Sequence, residues 1–208
     1  GTFRSLDDLR EQLTQAQRMS SMESSARNLL LNQRISTLSP FVSPTTWKAC
    51  GGPVLPFDGP VYVGIDLSAR LDLTAAVVVG LVDEVWHVVP YFWCPESGIE
   101  DRSRRDRAPY STWARQGLLR TTPGASVDYS HVAAELAEIL CDLDVRAVPF
   151  DRWRFDLLKK EFDAIGVDLP MVPHGQGFKD MTGSLEAVEV ALLNGRMAHG
   201  NHPVLTMC

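Results

Sequence analysis

The sequence predicts an α/β protein with a mixed sheet: an antiparallel meander of three strands, then alternating helices and strands. Two apolar, β-branched runs, 61–68 and 72–79, are separated by a short polar connection and read as a hairpin. A third run, 84–93, follows directly and completes the meander. From residue 128 onward, apolar residues at helical spacing alternate with short apolar runs, which extends the same sheet.

Side chains alternate along 61–68, so Val61, Val63, Ile65 and Leu67 share one face while Tyr62, Gly64 and Asp66 share the other. An acid in such a strand is costly to bury unless a cation, a donor or a cleft receives it. Gly64, on the same face, leaves room for a ligand to come close. Upstream, 5–19 carries Leu6, Leu9, Leu13 and Ala16 at helical spacing behind Ser5 as N-cap, and 23–32 reads as a second short helix. Residues 36–58 are broken by Pro40, Pro44, Pro53 and Pro56 and by Gly51-Gly52, the mark of an extended connector. The boundary is expected near Gly59-Pro60, with a helical and linker segment over 1–58 and a globular domain over 59–208.

After the meander, 95–110 reads as a polar surface loop holding Arg102, Arg104, Arg105 and Arg107 among Glu100, Asp101 and Asp106. A short helix is expected over 111–117 and a turn over 121–124. Asp128 or Ser130 then caps a helix through Val132, Leu136, Ile139 and Leu140. Residues 145–150 form an apolar run ending at Asp151, 157–165 a helix closed by Gly166, 169–172 a short strand, and 184–193 a helix closed by Asn194-Gly195.

With 208 residues, 45% hydrophobic and 22% charged, the composition is that of a globular domain plus an appendage. No apolar run approaches membrane-spanning length and residues 1–4 carry no signal-peptide pattern, so no membrane partner is expected. Cys50, Cys94, Cys141 and Cys208 are far apart without paired metal spacing and read as free thiols. The net charge of −6 argues against a non-specific nucleic-acid binder, though a local basic patch could still contact phosphates. No Gly-x-x-x-x-Gly-Lys-Ser/Thr loop occurs, so the sequence shows no ATPase motif.

Three strands, helix, strand, helix, strand is the order of the ribonuclease-H-like fold, whose first and fourth strands lie side by side and parallel. That pairing brings Asp66 beside Asp151. Two facing carboxylates at adjacent strand ends make an oxygen-rich site suited to Mg²⁺ or Mn²⁺, and two such ions suit phosphodiester hydrolysis.

Gly64-Ile65-Asp66-Leu67-Ser68, Asp72-Leu73-Thr74, Tyr91-Phe92-Trp93-x-Pro95 and Pro109-Tyr110-x-x-Trp113 resemble the nuclease domain of tailed-phage large terminases. So do Gly117-Leu118-Leu119, Pro123-Gly124, Phe150-Asp151-x-Trp153, Gln176-Gly177 and Asn201-x-Pro203-Val204-Leu205, with Asn32 and Trp47-x-Ala49-Cys50 upstream. The resemblance implies a ribonuclease-H-like, metal-dependent endonuclease that cleaves concatemeric phage double-stranded DNA during genome packaging. It assigns the metal ligands and catalytic carboxylates to Asp66 and Asp151 and two ions, Mg²⁺ or Mn²⁺, to the complete enzyme. It implies an ATPase domain preceding Gly1, a small terminase subunit and a portal protein as partners, and action in the host cytoplasm. The family's third carboxylate lies on a helix beyond the Asn-x-Pro-Val-Leu segment. The resemblance therefore implies that this ligand is not in the chain, that the domain's C-terminal end is truncated at Cys208, and that these residues alone are a weak or inactive nuclease.

The other readings are plainer. Asp72 is either an accessory ligand or an Asx-turn closing the hairpin, and Asp151 could cap the helix after it. The arginines of 102–107, with Lys179, are DNA-contact candidates or a solvated surface. His174, His199 and His202 lack metal spacing and read as polar surface groups. Glu186 and Glu189 are expected to face solvent opposite Leu185, Val188 and Leu192. The competing functions are a non-catalytic DNA-docking or assembly module on the same scaffold and an actin-like or sugar-kinase phosphate site, for which the chain is too short to hold a second lobe.

Overall fold

Alternation along the first strand decides how the sheet is built. In β1 (Pro60–Asp66), Val61, Val63 and Ile65 are buried and the residues between them are exposed, as the apolar pattern requires. The structure, a computed structural model, describes residues 41–68, 72–151, 155–175 and 178–208, with side chains from 181 onward in the last stretch. The helices expected over 5–19 and 23–32, with Trp153 and Gln176-Gly177, lie outside the described residues.

The chain divides into two compact units, Gly1–Ala49 and Cys50–Cys208. In the first, α1 (Pro44–Ala49) places a short helix where an extended connector was expected, and the Ser43 hydroxyl accepts the Thr46 N–H at 3.1 Å. The division falls upstream of Gly59-Pro60 because 50–58 is tied into the second unit. Cys50 O accepts from His199 N at 3.1 Å, Gly52 O from Gly200 N at 3.0 Å, and His87 Nδ1 from Leu55 N at 3.0 Å.

In the second unit, β2 (Thr74–Val82) pairs antiparallel with β1 and with β3 (Val85–Pro95), which gives the predicted meander. β4 (Arg120–Thr122) and β7 (Met197–Ala198) pair parallel with the two ends of β3. Pro90, which has no N–H to donate, falls between those two pairings, where β3 needs no donor. β5 (Asp144–Phe150) runs parallel beside β1, and β6 (Met171–Pro173) parallel beside β5. The seven-stranded order β4-β3-β2-β1-β5-β6, with β7 on β3, is the predicted ribonuclease-H-like mixed sheet.

Two helices cover one face. α4 (Tyr129–Leu140) and α5 (Phe155–Ala164) bury Val132, Leu136, Leu158 and Phe162 against Val61, Val63, Ile65, Val78, Trp93 and Val148. Asp128 caps α4 as expected, its carboxylate accepting the Ser130 N–H at 2.9 Å. The other face carries α2 (Ile99–Asp106), α3 (Tyr110–Arg115) and α7 (Pro203–Met207) around Phe92, Cys94, Leu119 and Val204. α6 (Phe178–Leu193) also lies on that side, where Ala187, Val188 and Ala191 line an apolar cavity of about 400 Å³ with Tyr62, Val79 and Trp86. Of its expected apolar stripe Leu192 is buried, whereas Leu185 and Val188 are exposed.

Two sequence readings need correction. The 95–110 stretch is not a loop: residues 99–106 form α2, which ends at Arg107 in the left-handed conformation (φ 53°). The expected 121–124 turn is strand in its first half, where Thr121 and Thr122 belong to β4, and the segment beyond Gly195 adds β7 and α7. Among the described residues no helix is long and apolar enough to cross a membrane.

Candidate active site

The parallel pairing of β1 with β5 places the two predicted carboxylates together. Ile65 is in register with Phe150, so Asp66 and Asp151 are the next pair along, about 5 Å apart at the backbone and on one face of the sheet. This alignment depends on an irregularity. Val61 pairs with Val145, but Tyr62 pairs with Ala147, so Arg146 is an extra residue bulged out of β5. A one-residue slip reverses every later side chain. Without the bulge Asp151 would stand opposite Leu67 and face the α4–α5 core; with it, Val148 enters that core and Asp151 joins Asp66.

The chain just past β1 is held at Ser68 by two residues, Thr74 and Tyr129. Ser68 N–H donates to Thr74 Oγ1 at 3.1 Å, the two hydroxyls meet at 3.1 Å, and Tyr129 Oη donates to Ser68 O at 2.7 Å. Ser68 and Thr74 are buried, so this clamp fixes the strand end just beyond Asp66. Asp66, Asp151, Gly64, Ala75, His174 and Met181 line a cavity of about 270 Å³. A Cβ placed on Gly64 would meet no atom within 4 Å, so the glycine leaves the floor of that cavity open.

The electrostatics fit a cation. Desolvation raises the Asp66 carboxyl above its usual range, the negative charge of Asp151 raises it further, and Asp72 adds to the effect; the Leu67 backbone opposes them. Asp72 stands exposed before β2, close enough to act electrostatically on both Asp66 and Arg105. Two carboxylates opening on one cavity, one of them disfavoured in its charged form, are a donor set a hard divalent ion would satisfy. Among the described residues no group of three His, Cys, Asp or Glu converges on one point.

The sequence profile of the terminase large subunit endonuclease domain matches residues 4–208. The chain belongs to that family. It is 54% identical over 209 residues to the terminase large subunit of Enterobacteria phage HK97, covering all of this chain and 42% of that protein. It is 27% identical over 191 residues to protein YmfN of Escherichia coli K12, covering 86% of this chain and 42% of that one. The crystal structure of the HK97 large terminase superposes with a TM-score of 0.79 at 55% identity, over all of this chain and 44% of that one. The chain thus spans less than half the length of these relatives.

Within this terminase endonuclease domain, several motifs that carry the family resemblance have structural roles. Asn201 takes a left-handed conformation (φ 52°), and its Nδ2 donates to Gly51 O at 3.1 Å. Any Cβ on Gly51 would collide with the Asn201 side chain. Tyr110 and Trp113 pack edge to face with ring centres 5.7 Å apart over buried Leu119. The arginine segment departs from expectation. Arg102 is buried, 5% exposed, and is not offered to a partner, whereas Arg104 and Arg105 lie on the surface in ion pairs with Asp101 and Asp106. Arg107 is exposed, and the Lys179 side chain lies outside the described residues.

His174, expected as a polar surface group, is half-buried and lines the same cavity. Phe150 is in register with Pro173, which puts His174 in the same row as Asp66 and Asp151, a placement that spacing along the chain does not reveal.

Proposed function

We propose that this domain is a metal-dependent endodeoxyribonuclease that cleaves concatemeric phage double-stranded DNA, with Asp66 and Asp151 as the catalytic metal ligands. The observation that carries the reading is the carboxylate pair itself: two acids in one register row, opening on a cavity, with Asp66 raised by its surroundings. Asp66 and Asp151 would hold the divalent ions, two Mg²⁺ or Mn²⁺ on this reading, and the ions would supply Lewis-acid charge to phosphodiester hydrolysis. The chain's own contribution is placement. The Ser68–Thr74–Tyr129 clamp sets Asp66, the Arg146 bulge aims Asp151, and Gly64 leaves space for the backbone of a DNA strand. Asp72 is an accessory carboxylate at the rim, and Arg104, Arg105 and Arg107, joined by Lys179, are the cations that would meet flanking phosphates. In the whole protein the reading implies an ATPase domain, a small terminase subunit and a portal protein as partners, and action in the host cytoplasm.

The test is nicking of supercoiled plasmid with Mn²⁺ or Mg²⁺, run beside Asp66→Asn and Asp151→Asn and beside melting curves with and without the metal. Wild type should nick DNA and melt higher with metal, and each variant should lose both effects. Cleavage that persists in both variants would refute the assignment.

A further inference from the structure

We propose that His174, held by Ser184, is a positioning residue that receives a phosphate oxygen of the bound DNA strand next to the carboxylate pair. The inference rests on the endonuclease reading and adds a contact to it. Three adjacent parallel strands end in one row, Asp66 on β1, Asp151 after β5 and His174 after β6. Strand spacing puts His174 about 5 Å from Asp151 and about 10 Å from Asp66 at the backbone. The row is rigid at its third member, because the His174 N–H donates to Phe150 O at 2.9 Å, on the residue just before Asp151. His174 and Met181 close the side of the cavity that the two acids open on.

The chemistry of the row changes at His174. The first two positions are carboxylates, which repel a phosphate and attract a cation; the third is an imidazole, which can donate a hydrogen bond to a phosphate oxygen. Its Nε2 lies 3.3 Å from Ser184 Oγ on α6. In the tautomer whose Nε2 accepts the Ser184 hydroxyl, the ring proton sits on Nδ1 and that nitrogen donates; in either tautomer the contact orients the ring. Direct metal ligation fits less well, since among the described residues no three His, Cys, Asp or Glu converge on one point. The structure therefore assigns His174 to the substrate beside the ions.

Duplex binding by fluorescence anisotropy in Ca²⁺, cleavage kinetics in Mn²⁺, and Mn²⁺-dependent melting of wild type, His174→Ala, His174→Gln and Ser184→Ala test this assignment. His174→Ala should weaken duplex binding and raise KM about tenfold, with kcat little changed. His174→Gln, which keeps a donor without an imidazole, should stay within about threefold of wild type, and Ser184→Ala should fall between. The Mn²⁺ melting shift should survive in all three. Loss of that shift in His174→Ala would make the residue a metal ligand and overturn the proposal. A fall in kcat at constant KM, unchanged binding in His174→Ala, or His174→Gln as weak as His174→Ala would overturn it too. Absence of any Mn²⁺ shift or cleavage in wild type would instead defeat the endonuclease reading itself, and this proposal with it.

Discussion

At the scale of single residues, the carboxylate pair costs stability so that it can hold charge. Asp66 binds its proton more tightly in the folded chain than in the unfolded one, because of desolvation and then Asp151. Folding stability from this group is therefore highest below the ordinary carboxylate value of about 3.9. It falls as pH rises through the raised folded value, and above that the penalty is fully present. Asp66→Asn should accordingly melt a few degrees higher than wild type at pH 7 in EDTA and converge with it at pH 3. With a divalent ion the order should reverse, and equal melting at pH 7 in EDTA would show that the two acids do not strain each other. Gly64 makes a separate point. Since a Cβ there meets nothing, Gly64→Val should keep the fold while filling the cavity floor, with cleavage falling by about 10²-fold, the scale of a displaced substrate. Circular dichroism and plasmid nicking on the same sample separate the two effects.

At the scale of elements, strain and polar networks lie away from the site, where they can be altered without touching it. The β2–β3 hairpin turns through Asp83 and Glu84, both left-handed at φ 49° and 63°, a conformation that Asn-Gly adopts at lower cost. Asp83→Asn with Glu84→Gly should raise stability by about 1 kcal/mol in denaturant melts and leave metal binding unchanged. On the opposite face of the sheet, Glu135 accepts from Trp93 Nε1 at 2.6 Å and Arg120 Nη1 at 3.0 Å, with His131 at 3.2 Å. Burial pushes its carboxyl up, but the Trp93 and Arg120 hydrogen bonds and the neighbouring positive charges outweigh burial and hold it below its usual range. The stabilisation is thus present above the unfolded carboxylate value and lost as pH falls through the folded one. Glu135→Gln should cost about 1–2 kcal/mol at pH 7 and nothing at low pH. These elements also show what a sequence can reveal. β1 to β3, β5 and α4 were legible because burial imposes a period on them, and so was the placement of Asp66 at the end of β1 and Asp151 just after β5. α2 was read as a loop because its charged residues carry no apolar period, and β4 and β7 are too short to show one. The Arg146 bulge, which sets which way Asp151 faces, is a register event between two strands, and His174 becomes visible only once β6 is paired with β5.

At the scale of the whole molecule, a chain of net charge −6 that is to grip DNA must do so through a small positive region, and the fold indicates where. β2 runs antiparallel to β1 and to β3, so β1, β3, β5 and β6 share one direction, and Asp66, Asp151, His174, the start of β2 and the end of β3 all lie at one end of the sheet. α2 follows β3 at that end, and the electrostatic influence of Asp72 on both Asp66 and Arg105 ties the arginine helix to the carboxylate site. The surface arginines there are paired, Arg104 with Asp101 and Arg105 with Asp106, which offsets their charge in the resting protein. On the endonuclease reading, a duplex crossing this end exchanges those acids for phosphates and releases counterions. Affinity in Ca²⁺ should then fall steeply between 50 and 200 mM salt, and Arg105→Ala and Arg107→Ala should each reduce the slope of log affinity against log salt by about 1. Both variants should weaken binding equally for unrelated sequences, since phosphate contacts carry no base information. Asp106→Asn should act in the opposite direction and tighten binding by freeing Arg105, whereas Arg102→Ala should destabilise the fold without changing the salt slope of what remains folded. A double Arg105→Ala, Arg107→Ala variant with an unchanged slope would place the DNA away from this end of the sheet.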